Sequence, residues 1–359
     1  MIFWIHLLAG ICIGLVILSM AVSGMILAFE PQMMAFAERG VRNIALPETH
    51  SAKLSPESLM AHVRKSRPDA KLAGMTAQSD PAASVALSLG RGDSIFINPY
   101  TGEILGSKPW LSRTLLQIED WHRGFGSWKI GGQVTGAGCA ALLFMVLSGF
   151  YLWWPRNGNA IKAAIFFNPG LRGNARDWNR HNTIGFWCWP LLLITTVTGL
   201  VMAYPWANDL LFKLTGSELP SQVQSKNDIL WQKKTGETEA GLDALWANAE
   251  KQVSEWKSIS MYMPKKPGAP VMVYIQEPAN PSFSRSQLTL DAQTAEVRQW
   301  APYANQNSGR RLRAWIRPLH TGQAGGILGQ GLAFIAGLGA LMLVWSGCAM
   351  AWRKFFKIV

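Results

Sequence analysis

Charge is what this sequence has least of: 16% of its 359 residues are charged, against 49% hydrophobic. An ordinary soluble domain carries roughly 25% charged residues, so the composition argues against a water-soluble fold. Four blocks, 2–29, 134–154, 184–203 and 327–350, contain no Asp, Glu, Lys or Arg. About twenty apolar residues cross a bilayer as a helix, so the blocks predict four membrane spans. The chain has 4 cysteines, one in each block (Cys12, Cys139, Cys188, Cys348), and no C-x-x-C-H run, which excludes covalent haem attachment by that motif and leaves the cysteines as small buried hydrophobes. No G-x-G-x-x-G occurs, so a nucleotide would have to be handled by a separate molecule. No Lys or Arg precedes the first block, which is longer than a signal-peptide core, so it reads as a span and not as a cleaved leader despite the small residues Ala35 and Ala37.

The charges that are present are unevenly placed. Arg156, Lys162, Arg172, Arg176 and Arg180 oppose only Asp177 in the short middle loop, and Arg353, Lys354 and Lys357 follow the last span. The positive-inside rule then puts that loop and both termini in the cytoplasm and the long segments outside, in the periplasm of a bacterial inner membrane. Arg310, Arg311, Arg313 and Arg317, just before the fourth span, run against the rule, which long translocated segments largely escape. The net charge of +12 is thereby matched to anionic lipid, and no motif supports nucleic-acid binding. The expected division is a first span (1–30), an outside module (31–118), a second span (119–155) and a basic loop (156–179). A third span (180–206), a second module (207–316), a fourth span (317–353) and a tail (354–359) complete it.

Two spacings recur. His6 to Gly24 and His181 to Gly199 are both 18 residues, and His122 to Gly149 and His320 to Gly347 are both 27. Each glycine follows Ser23, Thr198, Ser148 or Ser346, small residues suited to close helix packing. The chain thus reads as two tandem copies of one unit, each made of span, small α+β module and span, a mainly α membrane fold. Each outside segment opens on a helical pattern (55–67 and 242–256) and continues into short strand-like runs with a turn. The turn is Asn98-Pro99-Tyr100-Thr101-Gly102-Glu103 in the first and Asp291-Ala292-Gln293-Thr294-Ala295-Glu296 in the second.

Of 6 histidines, His50 and His62 fall in the first module and read as solvated or locally bonded. The other four stand near the starts of the spans, so His6 and His181 share one membrane face and His122 and His320 the other. Each taken singly reads as an interfacial ring with its polar tip in the headgroups. Taken as a set of ionisable groups at matching positions, they read as functional. Two imidazoles facing each other supply both axial ligands of a haem iron, and a four-helix bundle has room for the macrocycle. Zinc would need about four ligands and a proton relay buried carboxylates, and the spans supply neither. The expected cofactors are therefore two noncovalent b-type haems, with His6, His181, His122 and His320 as iron ligands. Arg123, Arg180 and Arg317 beside them either pair with propionates or anchor the spans. Tryptophan is abundant, 17 in all. Trp4, Trp121, Trp128, Trp187, Trp189 and Trp315 near the histidines read mostly as interfacial belt residues.

The run 93–106 (DSIFINPYTGEILG) after an amphipathic helix resembles a PepSY domain. The layout of the full chain resembles the PepSY-associated transmembrane proteins, whose spans open on a motif like His122-Arg123-Gly124-Phe125-Gly126. His6 through Gly10 and His181 through Gly185 match it more loosely. The resemblance implies a haem-dependent ferric-siderophore reductase acting on a ferrioxamine-type substrate in the periplasm, fed by a separate cytoplasmic or quinol electron donor. Two other readings stay open: a binding or regulatory protein that grips a periplasmic partner with structural histidines, and a quinol-linked cytochrome b with another acceptor.

Overall fold

The computed structural model describes residues 1–46, 52–90, 92–127, 129–155, 158–219, 240–264 and 268–356. His50, Trp128, Arg156 and Lys357 lie outside them. In chain order the elements are α1 (Ile2–Ala28), α2 (Glu30–Arg42), α3 (Pro56–Ser66), β1 (Gly74–Gln78), β2 (Val85–Gly90), β3 (Asp93–Ile97) and β4 (Ile104–Ser107). Then come α4 (Trp110–Gly124), α5 (Gly131–Trp153), α6 (Gly158–Ile165), α7 (Gly173–Ala203) and α8 (Pro205–Leu214). The remainder is α9 (Leu242–Glu250), β5 (Ser258–Tyr262), β6 (Val271–Gln276), β7 (Ser286–Leu290), β8 (Val297–Ala301), α10 (Ser308–His320) and α11 (Gly326–Phe356). The chain divides into a helical unit (Met1–Glu30, Leu115–Leu214, Leu312–Val359) and a sheet unit (Pro31–Thr114, Thr215–Arg311).

In the helical unit α1, α5, α7 and α11 are each long and apolar enough to cross a membrane. α1 and α7 each pack against both α5 and α11, so α1 faces α7, and α5 faces α11, across the bundle diagonals. Ile17, Val146, Ile184, Leu192 and Ala340 form the interior. Small residues let the helices close: a Cβ at Gly138 would stand 2.7 Å from Val16, and one at Gly339 would collide with Cys188. Outward, Leu15 is 77% and Leu328 80% exposed, a liability in water that lipid removes. Cys139 and Cys188 are buried as expected, whereas Cys12 and Cys348 are exposed on the outward side of their helices; all four are free thiols.

The spans expected at 119–155 and 317–353 are each broken in two. His122 and His320 close the amphipathic helices α4 and α10, and the spans proper start at Gly131 and Gly326. Phe125 (φ 47°) and Gly126 (φ 73°) stop the first helix and Gly322 (φ 77°) the second, in a region no right-handed helix passes through, and Gly326 (φ 60°) turns the chain into α11. In both places the turn folds back so tightly that Gly131 meets the Gly124 backbone and Gly329 that of Gly322, leaving no space for a Cβ.

The two outside segments do each supply a helix and four strands, but they do not form separate modules. They share one antiparallel sheet of eight strands in the order β4-β3-β2-β1-β5-β6-β7-β8. β1 and β5 join the halves, with Gly74 opposite Tyr262, Thr76 opposite Ser260 and Gln78 opposite Ser258. An isolated four-stranded half would expose one of these strands as an open edge, and the pairing removes it. One core lies under the sheet: Leu59, Met60 and Val63 of α3 and Leu245, Trp246 and Ala249 of α9 meet Leu87, Ile95, Ile259, Val273 and Leu288. Strand alternation fits, with β6 and β7 burying every second residue. α3 starts where Ser55 accepts a hydrogen bond from the Ser58 amide and Pro56 occupies the first turn.

The second turn keeps the geometry of the first although its sequence differs. Asn98 Oδ1 accepts from the amides of Tyr100 (2.9 Å) and Thr101 (3.4 Å), and Asp291 Oδ1 from those of Gln293 (2.8 Å) and Thr294 (3.1 Å). Left-handed backbone falls on Gly102 (φ 71°) and on Ala295 (φ 59°). A Cβ at Gly102 would stand 2.6 Å from the His62 ring, which is fixed by a 2.8 Å bond between its Nδ1 and the Ser58 carbonyl. The corresponding helix position in the second half is Asn248, whose shorter amide donates to the Ala295 carbonyl at 2.8 Å and leaves room for the methyl. Gly102→Ala is therefore expected to destabilise the protein by at least about 1–2 kcal/mol, the cost of left-handed backbone alone, with the ring clash added. The pair His62→Asn/Gly102→Ala should recover the clash component in denaturant unfolding. Equal losses for the single and double variants would remove His62 from the explanation.

Candidate functional site

The four span-linked histidines all find the same kind of partner. His6 Nδ1 lies 2.8 Å from Ser148 Oγ, His122 Nδ1 2.9 Å from Ser23 Oγ, His181 Nδ1 2.9 Å from Ser346 Oγ and His320 Nδ1 3.0 Å from Thr198 Oγ1. Each hydroxyl belongs to an adjacent helix, and the exchange is reciprocal between α1 and the α4–α5 stretch and between α7 and the α10–α11 stretch. The hydroxyl protons are already committed within their own helices. Ser23 donates to the Ser19 carbonyl (2.8 Å), Ser346 to Met342 (2.7 Å) and Thr198 to Ile194 (2.6 Å). These three oxygens can only accept from the imidazole, so Nδ1 of His122, His181 and His320 carries the proton and donates. Nε2 is then the ring atom that keeps the lone pair. His320 Nδ1 also donates to the Thr195 carbonyl at 2.9 Å. Ser148 makes a longer bond to Met145, 3.4 Å, so His6 is the least constrained of the set.

The glycine after each hydroxyl residue lies against the ring. An added Cβ would stand 3.2 Å from His122 Cε1 at Gly24, 3.3 Å from His6 at Gly149, 3.4 Å from His320 at Gly199 and 3.6 Å from His181 at Gly347. Sequence reasoning found these Ser/Thr-Gly positions and read them as helix packing. Their second task, orienting a ring, has no local signature, because each hydroxyl serves a histidine of another helix.

The diagonals bring the histidines into two pairs. The rings of His122 and His320 have centroids 6.3 Å apart, inclined at 65°. Two imidazoles that share one metal at about 2.0 Å per bond need roughly 6 Å between ring centres. His6 and His181 are near enough to interact electrostatically. Along α1 the levels of His6 and Ser23 are 17 residues apart, about 25 Å of helix, so the pairs occupy opposite ends of the bundle. Each level thus presents two imidazoles, each with a glycine beside its ring. Among the described residues no group of three or more His, Cys, Asp or Glu is arranged to hold a bare metal ion.

The three arginines read either as propionate partners or as span anchors have these contacts. Arg317 pairs with Glu30 (3.3 Å) and Glu119 (3.8 Å), and Arg123 pairs with Glu119 (3.3 Å), forming a charge network at the His122/His320 end. Arg180 is exposed. At the opposite end the buried Asp177 receives Arg353 Nη1 at 2.5 Å and Arg176 Nε at 3.1 Å, tying the start of α7 to the end of α11. Without Arg353 the buried carboxylate keeps only Arg176, a loss of roughly 1 kcal/mol or more, larger than for an exposed pair. Arg353→Ala should accordingly lower the melting temperature of the detergent-purified protein well beyond Lys354→Ala, whose ammonium stacks on the exposed ring of Trp4 at 4.3 Å. Equal effects would show that the Asp177 contact contributes nothing.

The other tryptophans are mostly placed as interface anchors. Trp121 Nε1 donates to Ser19 Oγ and Trp187 Nε1 to the Ile165 carbonyl, both at 2.9 Å, and Trp315 is half-exposed. Trp189 is the exception, turned inward and stacked on Phe150 with centroids 4.4 Å apart.

Four apolar helices with polar groups gathered at two interior levels define a multi-pass membrane protein. The chain belongs to the family described as the PepSY-associated TM region, which matches residues 3–354, nearly its whole length. The comparison with curated proteins gives no match.

Proposed function

We propose that this protein is a dihaem b-type reductase of the bacterial inner membrane, built from two tandem repeats, with the loop and termini cytoplasmic and the sheet unit periplasmic. Its substrate is Fe(III) held by a siderophore, as the likeness to the ferrioxamine reductase FoxB implies. The observation that carries the reading is the fourfold histidine–hydroxyl arrangement: a ring used only for packing has no need of an Nδ1 held by a neighbouring helix's hydroxyl at four matching places, at three of which Nδ1–H is the donor. Haem held there would supply a one-electron carrier at each membrane face. His6 and His181 hold the inner position and His122 and His320 the outer. Ser148, Ser346, Ser23 and Thr198 set the ring orientations, and Gly149, Gly347, Gly24 and Gly199 keep the space beside them open. The apolar interior excludes water between the two levels. One electron from a separate quinol or cytoplasmic donor converts Fe(III) to Fe(II), which hard oxygen chelators hold less tightly.

Dithionite-reduced protein, freed of excess reductant, is expected to be reoxidised by ferric siderophore with one Fe(II) trapped per electron lost from the protein. A reduced spectrum that no ferric chelate restores would overturn the substrate assignment, and a protein with no b-type spectrum would overturn the redox reading altogether.

A further inference from the structure

The sheet unit carries a polar cleft on the face opposite its core, across the seam where β1 meets β5. It encloses about 450 Å³, a volume suited to a small ligand. Its floor is hydrogen-bonding and uncharged: Ser258 and Gln276 reach it from the strands, and Thr76 Oγ1 donates to Ser260 Oγ at 3.0 Å. Its walls are Arg42, Lys257 and Arg285 against a single acid, Asp80. Asp80 is occupied locally, Oδ1 accepting from the Ala82 amide at 2.9 Å, and Arg42 is paired with Glu38 at 2.6 Å. Lys257 has no carboxylate partner among the described residues. Neither has Arg285, whose Nη1 donates to the Ser282 and Ser284 carbonyls at 2.7 Å each. Those two bonds fix the guanidinium while Nε and Nη2 have no hydrogen-bond partner among the described residues, a preorganised fork for oxyanions.

We propose that this cleft binds a compact, oxygen-rich polyanion of the hydroxy-polycarboxylate class. The substrate of the reductase is then an anionic ferric chelate of that class; this second step rests on the reading above, whereas the binding itself does not. Two unpaired cations beside a floor of hydroxyls and amides match several carboxylates at once, and they repel a cationic trihydroxamate such as ferrioxamine B.

Calorimetric titration of the detergent-purified full chain tests this, with citrate as the probe, ferric citrate and ferrioxamine B in parallel, and Lys257→Gln, Arg285→Gln and the double variant. Citrate is expected to bind saturably at low salt, about tenfold more weakly in each single variant, and progressively more weakly as added salt shortens the Debye length. Both side chains are exposed, so unchanged melting temperatures will show that the variants fold. No citrate binding to the wild type, undiminished binding to the double variant, or preference for ferrioxamine B would each overturn the proposal. Reoxidation of the reduced protein by ferric citrate is followed separately. Citrate bound without electron loss to ferric citrate would leave the cleft standing and overturn only the assignment of this chelate as the reductase substrate, and electron loss indifferent to both variants would leave the reductase standing and remove the cleft from its substrate path.

Discussion

His122→Ala and His320→Ala are expected to remove the same one of two b-type spectral components, and His6→Ala and His181→Ala the other. The effect is large because an axial ligand is lost outright, and each variant should retain about one haem per chain in place of two. The grouping follows from the bundle diagonals: α1 faces α7 and the α5 side faces α11, so ligands to one iron come from corresponding helices of the two halves. It is not a grouping by sequence neighbourhood, which would join His6 to Ser148 and His122 to Ser23 within the first half. His6→Ala and His122→Ala abolishing the same component would refute the pairing. Ser23→Ala and Thr198→Val serve as graded controls. They leave Nε2 in place but free the ring to turn, so they should shift the midpoint potential of the His122/His320 component without removing it, and more weakly for Thr198→Val because the Thr195 carbonyl still accepts from His320.

Electron delivery to ferric chelate should fall by at least about a hundredfold in His320→Ala, a loss of more than roughly 2.7 kcal/mol in the transfer barrier. His122 and His320 end the helices that follow directly on β4 and β8, whereas His6 and His181 lie about 25 Å of helix away, at the far end of the bundle. Without the His122/His320 relay, that whole length of helix has to be crossed in one step. Stopped-flow reoxidation of the reduced variant reads this, at low and at high salt. Undiminished transfer in a protein shown to lack the outer component would take His122 and His320 off the path. A rate that ignores salt would assign Arg310, Arg311, Arg313 and Arg317 to structure alone. The contacts of Arg313 with Asn208 (3.0 Å) and of Arg317 with Glu30 point the same way.

The four spans were legible because lipid imposes a simple demand, some twenty residues without a charge, and the sequence meets it four times. The histidine pairs were legible because topology alone decides which span starts share a membrane face. The sharp stops at Phe125–Gly126 and at Gly322 were not, since left-handed backbone leaves little trace when glycine is common throughout; His122 and His320 therefore close amphipathic helices and do not open spans. The single sheet was hidden for another reason. β1 and β5 read as ordinary short strands, and pairing between residues nearly two hundred positions apart has no local signature. The turn at 291–296 shows the converse, a sequence that lost Pro, Tyr and Gly yet kept every backbone bond, because Asn248 in place of a histidine made room for Ala295.

In the proposed reading four histidines, oriented through Nδ1, hold two haems noncovalently. Acidified-solvent extraction of the purified protein followed by the pyridine haemochrome assay tests it most directly. Two haems b per chain are expected, all recovered in the solvent phase, with low-spin spectra showing that both axial positions are filled by imidazole. One haem, none, or pigment that stays with the polypeptide would contradict it.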